Sequence, residues 1–309
     1  MKKAHVILVI LTMLLNCIFL QANGENKGNT KVILLGTGTP LPNPKHSGSS
    51  IAIVVNDTPY IVDFGPGLIR RAAELSPEYG GKIKAMSAKN FKKVFLTHLH
   101  SDHTAGYPDL ILTPWVTGRD EPLVIYGPTG TERLTNNLLE AYRDDIDYRL
   151  YSGEPINDKG RNVVVHEIQG EGVIYKDNNV TVEAFPVKHG TWPNAYGFRF
   201  TTPDKVVVIS GDTRPCDNIK KYAEGADILI HEVYSQDKFN KANDYWKRYF
   251  LSNHTSTLEL ADMASKTKPK LLILYHILAL GSTDDELLKE INTKYKGKVI
   301  IGADLAVFD

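Results

Sequence analysis

The run Thr97-His98-Leu99-His100-Ser101-Asp102-His103 puts three imidazoles and a carboxylate inside six residues, directly after the apolar stretch 91–96. Imidazole nitrogen and carboxylate oxygen are the donors that first-row divalent metals, zinc above all, take up. Four such donors at a strand end can surround a cation with little chain left to order, so a fold for this sequence has to deliver a metal-binding turn from the end of a strand. Three further candidates also follow apolar strands: His189 in Val187-Lys188-His189-Gly190, Asp212 in Ser210-Gly211-Asp212-Thr213, and His276 after Leu271-Leu272-Ile273-Leu274-Tyr275. Each alone reads more readily as a structural residue than as a ligand. Their recurrence at strand termini points to one site, because loops at a common edge of a sheet bundle bring together side chains distant in sequence.

Short β-branched runs predict strands at 31–36, 50–56, 60–65, 91–98, 122–127, 163–169, 180–187, 205–211, 227–234, 271–276 and 298–303, with a hairpin of 197–201 on 205–210. Helical patterns lie between several of them, at 66–75, 130–143, 216–223, 256–266 and 283–294. Strand pairs come early in each half and helix–strand alternation follows. The predicted class is therefore mixed α/β, with two packed β-sheets and helices on the outer faces rather than one open parallel sheet.

Residues 1–24 read as a cleaved secretory signal: Lys2 and Lys3, an apolar run over 6–20, then the small residues Ala22 and Gly24. The bulky Asn16 before Cys17 argues against lipidation. No linker, charge block or repeat divides residues 25–309, which form the expected single domain, secreted or periplasmic and without stable membrane association. Cleavage leaves Cys216 as the only thiol, so an internal disulfide is excluded and stability must come from packing or bound metal. Whether the chain forms a homo-oligomer is left open. With 36 basic and 36 acidic residues, no whole-surface field attracts nucleic acid or an anionic membrane.

His98-x-His100-x-Asp102-His103 followed by His189, Asp212 and His276 resembles the metallo-β-lactamase superfamily in its binuclear form. Leu35-Gly36-Thr37-Gly38-Thr39-Pro40, Asp63-Phe64-Gly65-Pro66-Gly67 and Gly127-Pro128-Thr129-Gly130 resemble its ribonuclease Z and arylsulfatase branch. The resemblance implies an αββα sandwich, one metal held by His98, His100 and His189, a second held by Asp102, His103 and His276, and Asp212 bridging both. His100 stands where redox di-iron relatives carry Glu, which favours two zinc ions and hydrolysis, with manganese or iron left open. Two such cations share a water, lower its pKa toward neutrality and offset charge on the ester oxygens.

The catalytic candidates are Asp102, His254 and Glu232. His254, in Asn253-His254-Thr255-Ser256, resembles the histidine that the ribonuclease Z branch places by the leaving group, and Glu232 could orient it by accepting its other ring proton. Asp63 reads as a turn residue supporting the histidine loop and His231 as structural. Trp192 and Tyr196 read as pocket or core, and Arg214 as a partner for an anionic substrate or an internal carboxylate. Enzymes of this branch that trim transfer RNA carry a long arm between the third-motif histidine and the bridging aspartate, and here only 22 residues separate His189 from Asp212. The expectation is a secreted dinuclear zinc hydrolase of small anionic sulfate or phosphate esters, arylsulfatase-like, with nucleic acid disfavoured. The alternatives are a phosphodiesterase or ribonuclease-Z-type endonuclease and, from another class, a secreted metal-binding protein without turnover.

Overall fold

Consecutive residues of β1 (Thr30–Gly36) are buried on opposite faces: Val32 and Leu34 enter one hydrophobic cluster, Ile33 and Leu35 another. A strand covered on both faces reads as a continuous apolar run, which is why this segment shows no polar alternation. The computed structural model describes residues 28–309, and the expected signal segment 1–24 lies outside them. β1 shares a sheet with β2 (Ser50–Val55), β3 (Thr58–Val62), β4 (Lys93–Phe95), β5 (Leu123–Gly127) and β6 (Val163–Glu167). A second sheet holds β7 (Gly172–Lys176), β8 (Thr181–Pro186), β9 (Tyr196–Thr201), β10 (Val206–Ile209), β11 (Ile228–Tyr234), β12 (Leu271–Leu278) and β13 (Val299–Ile301). β14 (Val307–Phe308) returns to cover the edge of β1. Both sheets begin antiparallel and turn parallel, at β3–β4 and at β10–β11.

The helices are α1 (Leu68–Leu75), α2 (Ser101–Thr104), α3 (Tyr107–Val116), α4 (Thr131–Ala141), α5 (Arg143–Tyr151), α6 (Asp217–Ala223), α7 (Gln236–Lys241), α8 (Asp244–Asn253), α9 (Thr257–Thr267) and α10 (Asp284–Ile291). Leu68 and Ala72 of α1 and Leu110 of α3 cover the outer face of the first sheet. Ile219 of α6, Leu260 of α9 and Ile291 of α10 do the same for the second. Between the sheets lie Ile53, Tyr60, Phe95, Phe198, Phe200 and Ile230. Each large side chain buried this way contributes roughly 1.5–3 kcal/mol against leaving it in water. The result is the expected αββα sandwich. Among the described residues no helix is long and apolar enough to cross a membrane.

The sequence pattern misses β7, β14, α2, α3, α5, α7 and α8. α3 carries Pro114 in its interior, which ordinarily breaks a helix because proline has no N–H for the carbonyl four residues back. That carbonyl belongs to Leu110, and it accepts instead from Nη1 of the fully buried Arg119 at 3.0 Å. The remaining donors of Arg119 reach Phe91 O, Ile111 O and, twice, Gly160 O. A guanidinium thus repairs the proline gap and ties α3 to the loop before β6. α8 escapes pattern reading for another reason: Tyr245, Trp246, Tyr249 and Phe250 fall at helical spacing, but over only ten residues, of which Phe250 alone is buried.

Candidate active site

The histidine turn leaves β4 and forms α2, while Asp63 leaves β3 beside it. Asp63 adopts a left-handed backbone, φ 59°, a conformation that Asp, Asn and His tolerate better than other side chains. Its carboxylate accepts from Thr97 N at 2.8 Å, from Thr97 Oγ1 at 2.9 Å and from His103 Nδ1 at 2.7 Å. The Asp63 turn can lie this close to the histidines because Gly65 has no side chain: a Cβ there would come within 2.4 Å of Asp102 O.

These bonds fix tautomers, since a histidine whose Nδ1 donates keeps its Nε2 lone pair free for a metal. His103 donates to Asp63, and its Nε2 is buried with no partner. Thr97 Oγ1, itself donating to Asp63, lies 3.0 Å from His98 Nδ1. The carbonyl of Asn253 accepts from His189 Nδ1 at 2.9 Å. The freed His98 Nε2 lies 3.0 Å from His100 Nδ1, which lies 3.2 Å from His189 Nε2. Ligand nitrogens around a tetrahedral zinc, each about 2.0–2.1 Å from it, are spaced by about 3.3 Å. The three nitrogens fit one metal.

A second group forms from Asp102, His103 and His276, whose donor atoms lie within 4.8 Å of one another. His276 reaches it through a β-bulge in β12, where Tyr275 pairs with Glu232 and Ile277 already with Val233. The bulged residue takes φ 44° and its ring turns out of the ladder to Asp102 Oδ2, 3.0 Å away. Asp212, after β10, stands between the groups. Its Oδ1 is 3.5 Å from both His103 Nε2 and His276 Nδ1, and its Oδ2 is 4.0 Å from both His98 Nε2 and His189 Nε2.

Burial disfavours the charged form of His98, and the neighbouring His103 pushes its pKa down further, well below the ordinary histidine range. Burial works against His103 too, but the charges of Asp212 and Asp63 prevail and hold it well above that range. Burial opposes ionisation of Asp212, yet His276 and His103 keep its carboxyl well below the usual carboxylate range. His103 Nε2, Asp212 Oδ1 and His276 Nδ1 are buried without hydrogen-bond partners. Orphaned buried groups of this kind are rare in folded chains, and here they converge on one point lined by carboxylates, which suits a cation.

The site opens into a cavity of 200 Å³ lined by Pro40, His100, Asp102, Tyr249, His254 and Leu278, among others. His254 caps α8, with Nε2 3.3 Å from the Tyr249 hydroxyl. Its Nδ1 is 3.3 Å from Glu232 Oε1 but out of line for a hydrogen bond. Glu232 instead accepts from Thr213 N at 3.2 Å and Thr255 N at 3.0 Å, so it joins the Asp212 turn to the His254 turn. Burial and the charge of Asp212 raise the Glu232 carboxyl well above its ordinary range.

A family model described as Beta-lactamase superfamily domain matches residues 59–277. Ribonuclease Z of Mycobacterium bovis is 31% identical over 280 residues, covering 89% of this chain and 96% of its own length. The chain belongs to the ribonuclease Z branch of the metallo-β-lactamase superfamily. The structure of human tRNase Z, short form, superposes with a TM-score of 0.67 at 22% identity, covering 90% of this chain and 98% of that one. The metallo-β-lactamase fold protein YhfI from Bacillus subtilis superposes with the same score of 0.67 at 21% identity, covering 91% and 100%. Both are likenesses of fold.

In this member of the ribonuclease Z branch, the seven candidate ligands, His254 and Glu232 all meet at one edge of the sandwich. Tyr196 is core, its hydroxyl donating to Ile168 O. Trp192 packs its ring 4.6 Å from that of His100 and lines a separate cavity of 370 Å³. Arg214 is exposed and takes part in no ion pair among the described residues. Sequence reading misses Tyr249, which touches His254 from α8; the i, i+1, i+4, i+5 spacing of Tyr245, Trp246, Tyr249 and Phe250 was the signal that could have found it.

Proposed function

We propose that the chain is a metal-dependent phosphodiesterase of the ribonuclease Z type. His98, His100 and His189 would hold one metal, Asp102, His103 and His276 the other, and Asp212 would bridge them. The observation carrying this is the Asp212 carboxylate, with one oxygen toward each histidine group. The nitrogen and oxygen donor set suits two zinc ions. Bound there, they would supply a water acidified toward neutrality and positive charge beside the ester oxygens. The chain's own residues do the rest. Asp63, Thr97 and the Asn253 carbonyl hold the imidazoles in their ligand tautomers, and Glu232 locks the Asp212 and His254 turns to each other. His254 offers a proton at Nε2 to the departing oxygen, steadied by Tyr249.

Relatives named ribonuclease Z favour the phosphodiesterase alternative over the arylsulfatase-like reading of small sulfate or phosphate esters. The short span between His189 and Asp212 does not weigh against this. The alignment to the Mycobacterium bovis protein needs only 280 positions to span 89% of this chain, so within it that relative has no room for a long arm that this chain lacks. Chromogenic phosphodiester, phosphate monoester and aryl sulfate, assayed with and without zinc beside a precursor transfer RNA, test the reading. Zinc-dependent cleavage should be fastest on the diester. Preference for the aryl sulfate would return the site to sulfatase chemistry, and two bound metals with no turnover would make it a binding protein.

We infer further that residues 1–24 are cleaved and that the enzyme works outside the cytoplasm, on the strength of Lys2, Lys3, the apolar run and Ala22/Gly24. Mass spectrometry of the native protein should find an amino terminus near Glu25, and an intact Met1 in a cytosolic fraction refutes this.

A further inference from the structure

Beside the metal cavity lies a second one of 540 Å³, well inside the range of about 300–1,000 Å³ common for ligand sites. Pro40, Tyr249 and Leu278 line both, so a group attached to an ester at Asp212 and His254 has this second cavity next to it. Its wall is aromatic, formed by Trp246, Tyr249 and Phe250 of α8, and its charged groups are Lys238 and Lys241.

Trp246 is 48% exposed and Tyr249 37%, which the fold alone does not require of rings this large. They meet edge to face, with centroids 5.7 Å apart and planes at 90°, so neither is stacked flat on the other. Tyr249 continues the row inward to His254, centroid to centroid 5.5 Å. Residues 236–253 carry Lys238, Lys241, Lys247 and Arg248 against Asp237 and Asp244, a local positive excess in a chain of zero net charge. Lys241 pairs with Asp237 at 2.6 Å and Lys238 with Glu286 at 3.6 Å, partly or fully exposed pairs that exchange readily for a phosphate. Aromatic rings beside a basic rim are how proteins hold unpaired nucleotides.

The geometry points to a base-stacking subsite: this cavity takes the nucleobase next to the scissile bond of a single-stranded phosphodiester, laid on Trp246 and Tyr249, with Lys238 and Lys241 meeting a neighbouring phosphate. It rests on the phosphodiesterase reading, and the test separates the two. Thymidine 5′-(4-nitrophenyl phosphate) and methyl 4-nitrophenyl phosphate release the same phenolate and differ in the flanking group. The wild-type enzyme should prefer the nucleotide ester in kcat/KM, and Trp246→Ala should cut that preference by about five- to 150-fold. Trp246→Phe should keep most of it, and Tyr148→Ala, on the exposed surface of α5, should leave it as in wild type.

Hydrolysis of both esters with a ratio that Trp246→Ala does not alter overturns the subsite and spares the phosphodiesterase. If neither ester is cleaved, the phosphodiesterase reading fails, and equilibrium dialysis with thymidine 5′-monophosphate still decides the cavity: weaker binding by Trp246→Ala supports it, equal binding rejects it. Phenyl phosphate bound as tightly as the nucleotide would mean that any aryl ring fits, which overturns the assignment to a base.

Discussion

Arg119 is buried with each of its five N–H donors on a carbonyl, whereas Asp212, as deeply buried, keeps Oδ1 without a hydrogen-bond partner. Burial pushes the guanidinium down to about 10, so it stays charged at neutral pH without any carboxylate beside it. Dipoles of four backbone carbonyls complete it. Around Asp212 the reverse holds: its Oδ1, His103 Nε2 and His276 Nδ1 converge, each buried without a hydrogen-bond partner. A polar group satisfied by its own chain is finished once folding is finished, and a convergent set left unsatisfied is finished only by something from outside. The first is built for stability, the second for binding.

The largest effect is expected at Asp212. Asp212→Ala should lower bound metal below two equivalents and reduce turnover of every substrate by about 10³-fold or more, the scale of losing metal-supplied charge stabilisation. Chelation should lower Tm in the wild type and do so far less in this variant, because metal bound to the native state adds to stability. Metal analysis and calorimetry on the two proteins check both, and a variant that keeps two metals and full activity contradicts the assignment.

His254 is a buried polar group beside the same site and outside both candidate metal groups. His254→Ala should keep both metals and lower kcat by roughly 10²- to 10⁴-fold, most on esters with poor leaving groups. A leaving-group series with equal impairment throughout argues against proton donation.

Arg119→Met should affect stability and leave the active site alone. It strands carbonyls at Leu110, Ile111, Phe91 and Gly160, each worth about 1–3 kcal/mol when left bare, so a loss of about 3 kcal/mol or more is expected in urea unfolding, with kcat per folded molecule unaltered. Asp63→Asn is the mildest. Asparagine tolerates the same backbone but holds His103 less firmly, and zinc affinity should fall by about 10- to 100-fold with kcat at saturating zinc largely kept. A zinc titration showing wild-type affinity would remove Asp63 from the set of positioning residues.

The candidate metal ligands are legible because chemistry concentrates them: four donors in one turn after β4, His189 and Asp212 just past strand ends, and His276 after an apolar run, although β12 continues through its bulge to Leu278. The sandwich is legible for the same reason, since strands covered on both faces write themselves as unbroken hydrophobic stretches. What stays hidden is local exception. Pro114 conceals α3, and nothing around Arg119 in the sequence announces that five carbonyl bonds converge on it. α7 and α8 are hidden because each buries a single side chain, Phe239 and Phe250, while Tyr245, Trp246 and Tyr249 of α8 stay at least partly exposed. The bulge that aims His276 is a one-residue slip in pairing, below what periodicity can register.

Asp63 and His276 sit at φ 59° and 44°, where backbone sterics admit Gly, Asn, Asp and His far more readily than anything else. Drift at these two positions is therefore confined by conformation before chemistry is consulted. A descendant that had given up catalysis would still be held to that short alphabet at 63 and 276, while 98, 102 and 212 were free to change. Retention of the first pair says little about whether a relative is alive as an enzyme; retention of the other three says much more.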